Sequence, residues 1–103
     1  MNTIGTMEIL VTAVGDHNAV RKFGILLEQN VMDKLAPLCS VLVEPVDMNT
    51  TKIWISNMSY LSAKTVIDDV MYAVADAYGD TRISHGLIDI RRIDIHMKNI
   101  PFL

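Results

Sequence analysis

The feature that most constrains the fold is the order in which strand-like and helix-like hydrophobic patterns follow each other along the chain. Apolar residues recur at helical spacing from Val20 to Leu35 and again from Val66 to Ala77. Runs rich in β-branched residues lie before, between and after these two stretches. The predicted strands cover residues 7–15, 39–46, 51–58 and about 87–98. The order strand, helix, strand, strand, helix, strand predicts two right-handed crossovers on either side of a hairpin.

Both predicted helices carry recognisable end signals. Asp16 or Asn18 can cap the first helix, and Pro37 closes it. Ser62 can cap the second helix, for which Gly79 is the expected C-terminal stop. These signals give the expected ends of the two predicted helices.

The last predicted strand has an interrupted alternation. Ile88 and Ile90 alternate with charged residues, whereas Ile93, Ile95 and Met97 continue the pattern one residue out of phase. A β-bulge, with one extra residue in the Arg-Arg pair at 91–92, would return both apolar runs to the same face. Bulges and charges are typical of edge strands, so we expect this strand at an edge.

The other strands predict the rest of the sheet order. Residues 7–15 and 51–58 are the most apolar and should be central, whereas Pro45 cannot donate to a ladder and places its strand at the other edge. We therefore expect one domain over residues 1–103 with a ferredoxin-like βαββαβ fold. Its four-stranded antiparallel sheet would have the order 4-1-3-2, with both helices on one face and the apolar residues 99–103 as a tail.

Composition narrows the class of protein. The chain has 103 residues, half of them apolar, and a net charge of −3. An acidic chain without a Lys/Arg run argues against nucleic-acid partners, because affinity for phosphates comes from clustered basic residues. No signal-peptide pattern or membrane-length apolar run occurs, so we expect a cytoplasmic protein without a membrane partner. Cys39 is the only cysteine, and we interpret it as a small buried hydrophobe rather than a reactive thiol.

The segment KIWISNM, beginning at Lys52, resembles the first strand of RNA-recognition motif domains, and the following helix ends in Tyr-Gly as it does in that family. The resemblance implies RNA binding on the sheet. In that family this strand comes first rather than third, and the second motif, with its stacking aromatic rings, is absent here. Trp54 alone would stack one base at most. RNA binding is therefore the least favoured alternative.

Few polar residues converge in a way that predicts catalysis. His17, His85 and His96 lack the spacing of a metal site, with the first two expected in loops. We expect no cofactor and no metal, and an enzyme is less favoured than a binding protein. The strongest polar cluster is DIRRIDIH, in which four residues could bind a carboxylate or phosphate or could simply protect an edge strand from aggregation. These possible ligand-binding residues are Arg91, Arg92, Asp94 and His96.

Strand parity predicts an apolar sheet face that the helices do not cover. One Trp, several aliphatic residues and a polar rim have the composition of a protein interface. The predicted interface residues are Leu10, Thr12, Leu42, Trp54, Ser56 and Met58. Two functions remain open at this point. The first is a non-catalytic interaction module, acting as a homo-oligomer, an adaptor or an inhibitor such as the small acidic proteins that phages encode. The second is a small-ligand sensor or small dimeric enzyme that uses the edge strand.

Overall fold

A computed structural model describes residues 3–58 and 62–101 of the chain. Six elements follow each other in the predicted order, and the antiparallel sheet has the strand order β2-β3-β1-β4. The elements are β1 (Thr3–Gly15), α1 (His17–Leu35), β2 (Ser40–Pro45), β3 (Thr50–Ser56), α2 (Ala63–His85) and β4 (Ile88–Pro101). This confirms the ferredoxin-like α+β plait and the placement of β2 and β4 at the sheet edges.

The core lies between the two helices and one face of the sheet. Ile9 and Val11 of β1 and Ile53 and Ile55 of β3 are fully buried. They pack with the apolar stripe of each helix, including Phe23. The predicted helix-facing parity is therefore confirmed, and the opposite face is left for other contacts.

The start of α1 is determined by Asp16. Its Oδ2 accepts hydrogen bonds from the backbone N–H groups of Asn18 and Ala19, at 3.1 and 3.3 Å. These bonds satisfy two of the donors that a helix N-terminus leaves without an intrahelical partner. Asp16, rather than Asn18, is thus the cap.

α2 continues six residues beyond the predicted stop at Gly79 and ends at His85. The prediction was wrong because Thr81 is fully buried, and its Oγ1 donates to the carbonyl of Ala77 at 2.7 Å. Packing of this last part outweighs the roughly 1 kcal/mol that a glycine costs inside a helix. Gly86, at φ 86°, ends the helix instead.

The β2–β3 hairpin is closed by a turn that Asp47 organises. Its Oδ1 accepts the backbone N–H groups of Asn49 and Thr50, both at 2.8 Å. The bond from Asn49 is the main reason that the pKa of Asp47 lies below its usual value. Asn49 also ties the hairpin to β1, because its Nδ2 donates to the carbonyl of Ala13 at 2.9 Å.

β4 contains the predicted bulge. Arg92 pairs with Thr12 and Ile90 with Ala13, which leaves Arg91 as the extra residue. β1 and β4 are both longer than predicted, since Thr3 pairs with Pro101 at the far end of their ladder. The first residues of the expected tail therefore belong to a strand. Hydrophobic periodicity does not predict this extension, because the strands are joined there by backbone groups that leave no pattern in the side chains.

Candidate functional site

The sheet face opposite the helices includes three transverse rows of side chains. We call this surface the open face. Residues directly opposite each other in antiparallel strands share a face, so the register assigns its members. The first row is Leu42, Trp54, Glu8 and His96, the second is Glu44, Lys52, Leu10 and Asp94, and the third is Thr50, Thr12 and Arg92.

Leu42, Trp54 and Leu10 form the apolar part of the open face. Leu42 is 54% exposed and stands directly opposite Trp54 in the ladder, and Trp54 and Leu10 are partly exposed. Leu10 is the diagonal neighbour of Trp54 on β1, a separation of about 7–8 Å that an indole ring can span. The three side chains are therefore close enough to act as one apolar contact.

Ion pairs hold the polar part of the open face. Lys52 Nζ lies 3.1 Å from Glu44 Oε1, and Arg92 Nε lies 2.8 Å from Asp94 Oδ2. Partly exposed pairs of this kind add little stability, but they restrict where the charges point. The face consequently carries fixed charges of both signs around its apolar part.

Glu8 makes the open face more polar than predicted. It lies on the central strand β1, between Trp54 on one side and His96 on the other. The signal was present in the sequence, because Glu8 has the same parity as Leu10. The predicted face begins at Leu10 on this strand and therefore does not include the preceding position of the same parity.

Two predicted interface residues lie where β3 ends. Ser56 faces the open side opposite Ser40 and is partly exposed. Met58, in contrast, is only 5% exposed and belongs to the core, so its predicted place on the open face was wrong. Asn57 has a left-handed φ of 58°, which ends the alternation before Met58 and turns that side chain inward.

The structure brings together three of the four possible ligand-binding residues. Arg92, Asp94 and His96 lie on the open face of β4, with Asp94 half-buried and the other two exposed. Arg91 is the bulged residue and is exposed outside this register. His17 and His85, expected in loops, are the first residue of α1 and the last residue of α2.

Cys39 is partly buried just before β2. Its Sγ lies 3.3 Å from the carbonyl oxygen of Leu35, to which it can donate, and burial raises the pKa of the thiol. A raised pKa lowers the fraction of thiolate, which is the reactive form. Across residues 3–58 and 62–101, no three His, Cys, Asp or Glu side chains come together in a way that could hold a metal ion.

A half-open cleft of about 580 Å³ lies between α1 and the β2–β3 hairpin. Gly24 lines it, and a Cβ added there would lie 3.7 Å from Thr51 Oγ1, at ordinary van der Waals distance. Arg21, Glu28 and Met48 are among the residues that line it. Patterns within single segments do not reveal this cleft, because it depends on how α1 lies over the hairpin. A glycine within an otherwise well-formed helix was the available signal.

No protein-family model and no curated protein matches this sequence. Among solved structures, the chain is similar to a protein described in "The crystal structure of AtUAH in complex with (S)-hydroxyglycine", with 8% identity and a TM-score of 0.44. The match covers 91% of this chain but 28% of that one. No helix in the described ranges is long and apolar enough to span a membrane.

Proposed function

We propose that this protein is a non-catalytic interaction module whose open face binds another protein, as a homo-oligomer, an adaptor or an inhibitor in the cytoplasm. The observation that carries the proposal is Leu42, 54% exposed and opposite Trp54 on a sheet face that neither helix of the described residues covers. Burying an exposed leucine and an adjacent indole is the largest gain in binding free energy that this face offers.

The charges support a protein partner. Glu44, Lys52, Arg92 and Asp94 form two ion pairs around the apolar residues. Interfaces commonly place such polar groups at the rim, where they specify orientation more than affinity. The mixture of signs on the open face suits a protein surface better than a uniformly charged polymer.

Substitutions at the apolar centre test the proposal. We expect Trp54→Ala to weaken partner binding about 30-fold or more, since a central aromatic anchor contributes about 2 kcal/mol or more. Leu42→Asp should weaken binding as well, because it places a carboxylate against the partner's apolar surface. The partner is isolated by affinity capture on the wild-type protein and its affinity for each variant is then measured by titration. Trp54 is the only tryptophan, so its fluorescence reports on this face alone.

Matched controls come from exposed apolar residues of α2. Tyr72 is 64% exposed and Ile83 is 88% exposed, and both belong to the helix layer. Tyr72→Ala and Ile83→Asp should leave the affinity unchanged. A partner that binds Trp54→Ala and Leu42→Asp as tightly as the wild type would contradict the proposal.

The second candidate is a small-ligand site on β4, supported by Arg92, Asp94 and His96 on one face. It predicts that inorganic phosphate or succinate raises the melting temperature of the wild type but not of an Arg92→Ala/His96→Ala double variant. Lys34→Ala, on the exposed end of α1, removes one positive charge elsewhere and should retain the shift. The same shift in all three proteins would indicate an effect of ionic strength and would contradict a site at this edge.

A further inference from the structure

The two edge strands of the sheet differ in how well they are protected from further pairing. β2 has six residues and ends at Pro45, whereas β4 has fourteen and pairs with β1 alone among the described strands. After the bulge, residues 93–98 pair with β1 in unbroken register. An edge of this length presents a row of backbone donors and acceptors that can pair with another strand.

Exposed apolar side chains lie along this free edge on the helix side of the sheet. Ile95 is 38% exposed and Met97 is 47% exposed, although each lies opposite a fully buried residue of β1. Met71 of α2 is 41% exposed. It lies about 200° around the helix from Ala73, and Ala73 faces α1 because its carbonyl accepts from Asn30 Nδ2 at 3.3 Å. Met71 therefore lies on the flank of α2 that is turned away from α1.

We propose that β4 pairs with β4 of a second copy of this chain, antiparallel and around a two-fold axis at His96. In this register Asp94 lies opposite the partner's Lys98, and the same contact occurs twice by symmetry. On the other face, Ile95 lies opposite the partner's Met97, again twice. In each copy, a charged side chain thus faces the opposite charge of the other copy, and an exposed apolar side chain faces an apolar side chain of the other copy.

Neighbouring registers are less favourable. An axis at Asp94 would place the two Asp94 carboxylates opposite each other. An axis at Ile95 would place Arg92 opposite the partner's Lys98, while an axis at Ile93 would draw the bulged residue Arg91 into the pairing. Like charges directly opposite each other destabilise a sheet, and a bulge interrupts its ladder. Among these four axes, the charge pattern of residues 92–98 therefore favours the one at His96.

The resulting dimer has one continuous eight-stranded sheet. Both pairs of helices lie on one side, and the two open faces join on the other. This assembly does not depend on what the open face binds. It provides that face with a second copy of every contact, which raises the avidity for a partner with repeated sites.

Disulfide trapping tests the register directly. In a Cys39→Ala background, His96→Cys should form a disulfide-linked dimer under mild oxidation, because the two cysteines meet at the axis. Asp94→Cys and Lys98→Cys alone should not, since each lies four residues, or about 13 Å, from its own copy, beyond the reach of a disulfide. An equimolar mixture of the last two should cross-link as a heterodimer. All three positions lie on the same face of β4, so each controls for accidental collision.

Light scattering on the protein without introduced cysteines provides the second measurement. We expect a dimer whose dissociation constant rises at least tenfold in Lys98→Glu and falls again when Asp94→Lys is added, because the pair is then restored with reversed signs. Leu42→Asp should leave the dimer intact. A monomer at every concentration, equal cross-linking at positions 94, 96 and 98, or a dimer that Leu42→Asp dissolves would overturn the proposal.

Discussion

Gly15→Ala is expected to destabilise the fold by about 4 kcal/mol or more, measured as the free energy of unfolding in urea. Gly15 ends β1 with a φ of 147°, which side chains of L-residues rarely adopt. An added Cβ would lie 2.2 Å from the carbonyl oxygen of Leu87 and 2.9 Å from the Cα of Ile88. Both atoms are backbone, so no rotamer change relieves the clash. Separating the end of β1 from the start of β4 would also break the 2.9 Å hydrogen bond from Asp16 N–H to the Leu87 carbonyl.

Gly79→Ala is the matched control for this substitution. Gly79 lies within α2, and a Cβ added there meets no atom within 4 Å. Because alanine loses less backbone entropy than glycine on entering a helix, this variant should gain about 0.5–1 kcal/mol. A Gly15→Ala protein as stable as the wild type would show that the close approach of β1 to the start of β4 is not needed. Equal losses in both variants would show that the position of the glycine does not matter.

Phe23→Ala is expected to cost about 3–5 kcal/mol of unfolding free energy. Phe23 is 2% exposed and is the largest fully buried side chain of the described residues. It lies on α1 and packs into the core that also receives α2 and the sheet. Its removal leaves a cavity that these three elements would have to move together to fill. The loss should therefore include a cavity term in addition to the transfer free energy of the ring.

Ile83→Ala is the control for Phe23→Ala. Ile83 is a large apolar residue on α2, but 88% of it is exposed, so its truncation should change stability by less than about 0.5 kcal/mol. Both variants are compared with the wild type by urea denaturation. The comparison requires the same slope of unfolding free energy against urea concentration in each protein. A loss below about 1 kcal/mol in Phe23→Ala would mean that the core around it collapses freely and is less well packed than the burial indicates.

Patterns within single elements predicted the backbone of this fold well. The out-of-phase isoleucines on the two sides of Arg91 and Arg92 revealed a bulge, because the side-chain period of a strand is two and any break must be absorbed by an extra residue. Pro45 indicated an edge because it lacks the N–H that a central strand would use. Such signals depend on a few covalent and steric facts and require no knowledge of neighbouring elements.

Local signals failed wherever a neighbour outweighed them. Gly79 predicts a helix stop, yet the burial of Thr81 extends α2 to His85. Met58 was placed on the open face by extending the strand alternation, yet the left-handed Asn57 ends that alternation one residue earlier. At Gly79 a backbone preference of about 1 kcal/mol competed with packing that the sequence does not display.

The sequence by itself determined the order of the elements, the sheet topology and the face on which Leu10, Leu42 and Trp54 lie, because hydrophobic periodicity fixes which side of a strand is buried. Only the tertiary structure decided which charges meet. Glu8 beside Trp54 and the Glu44–Lys52 pair follow from strand register, and the cleft near Gly24 follows from how α1 lies over the β2–β3 hairpin. Register and packing bring together residues that are far apart in sequence, and no single-segment pattern encodes their pairing.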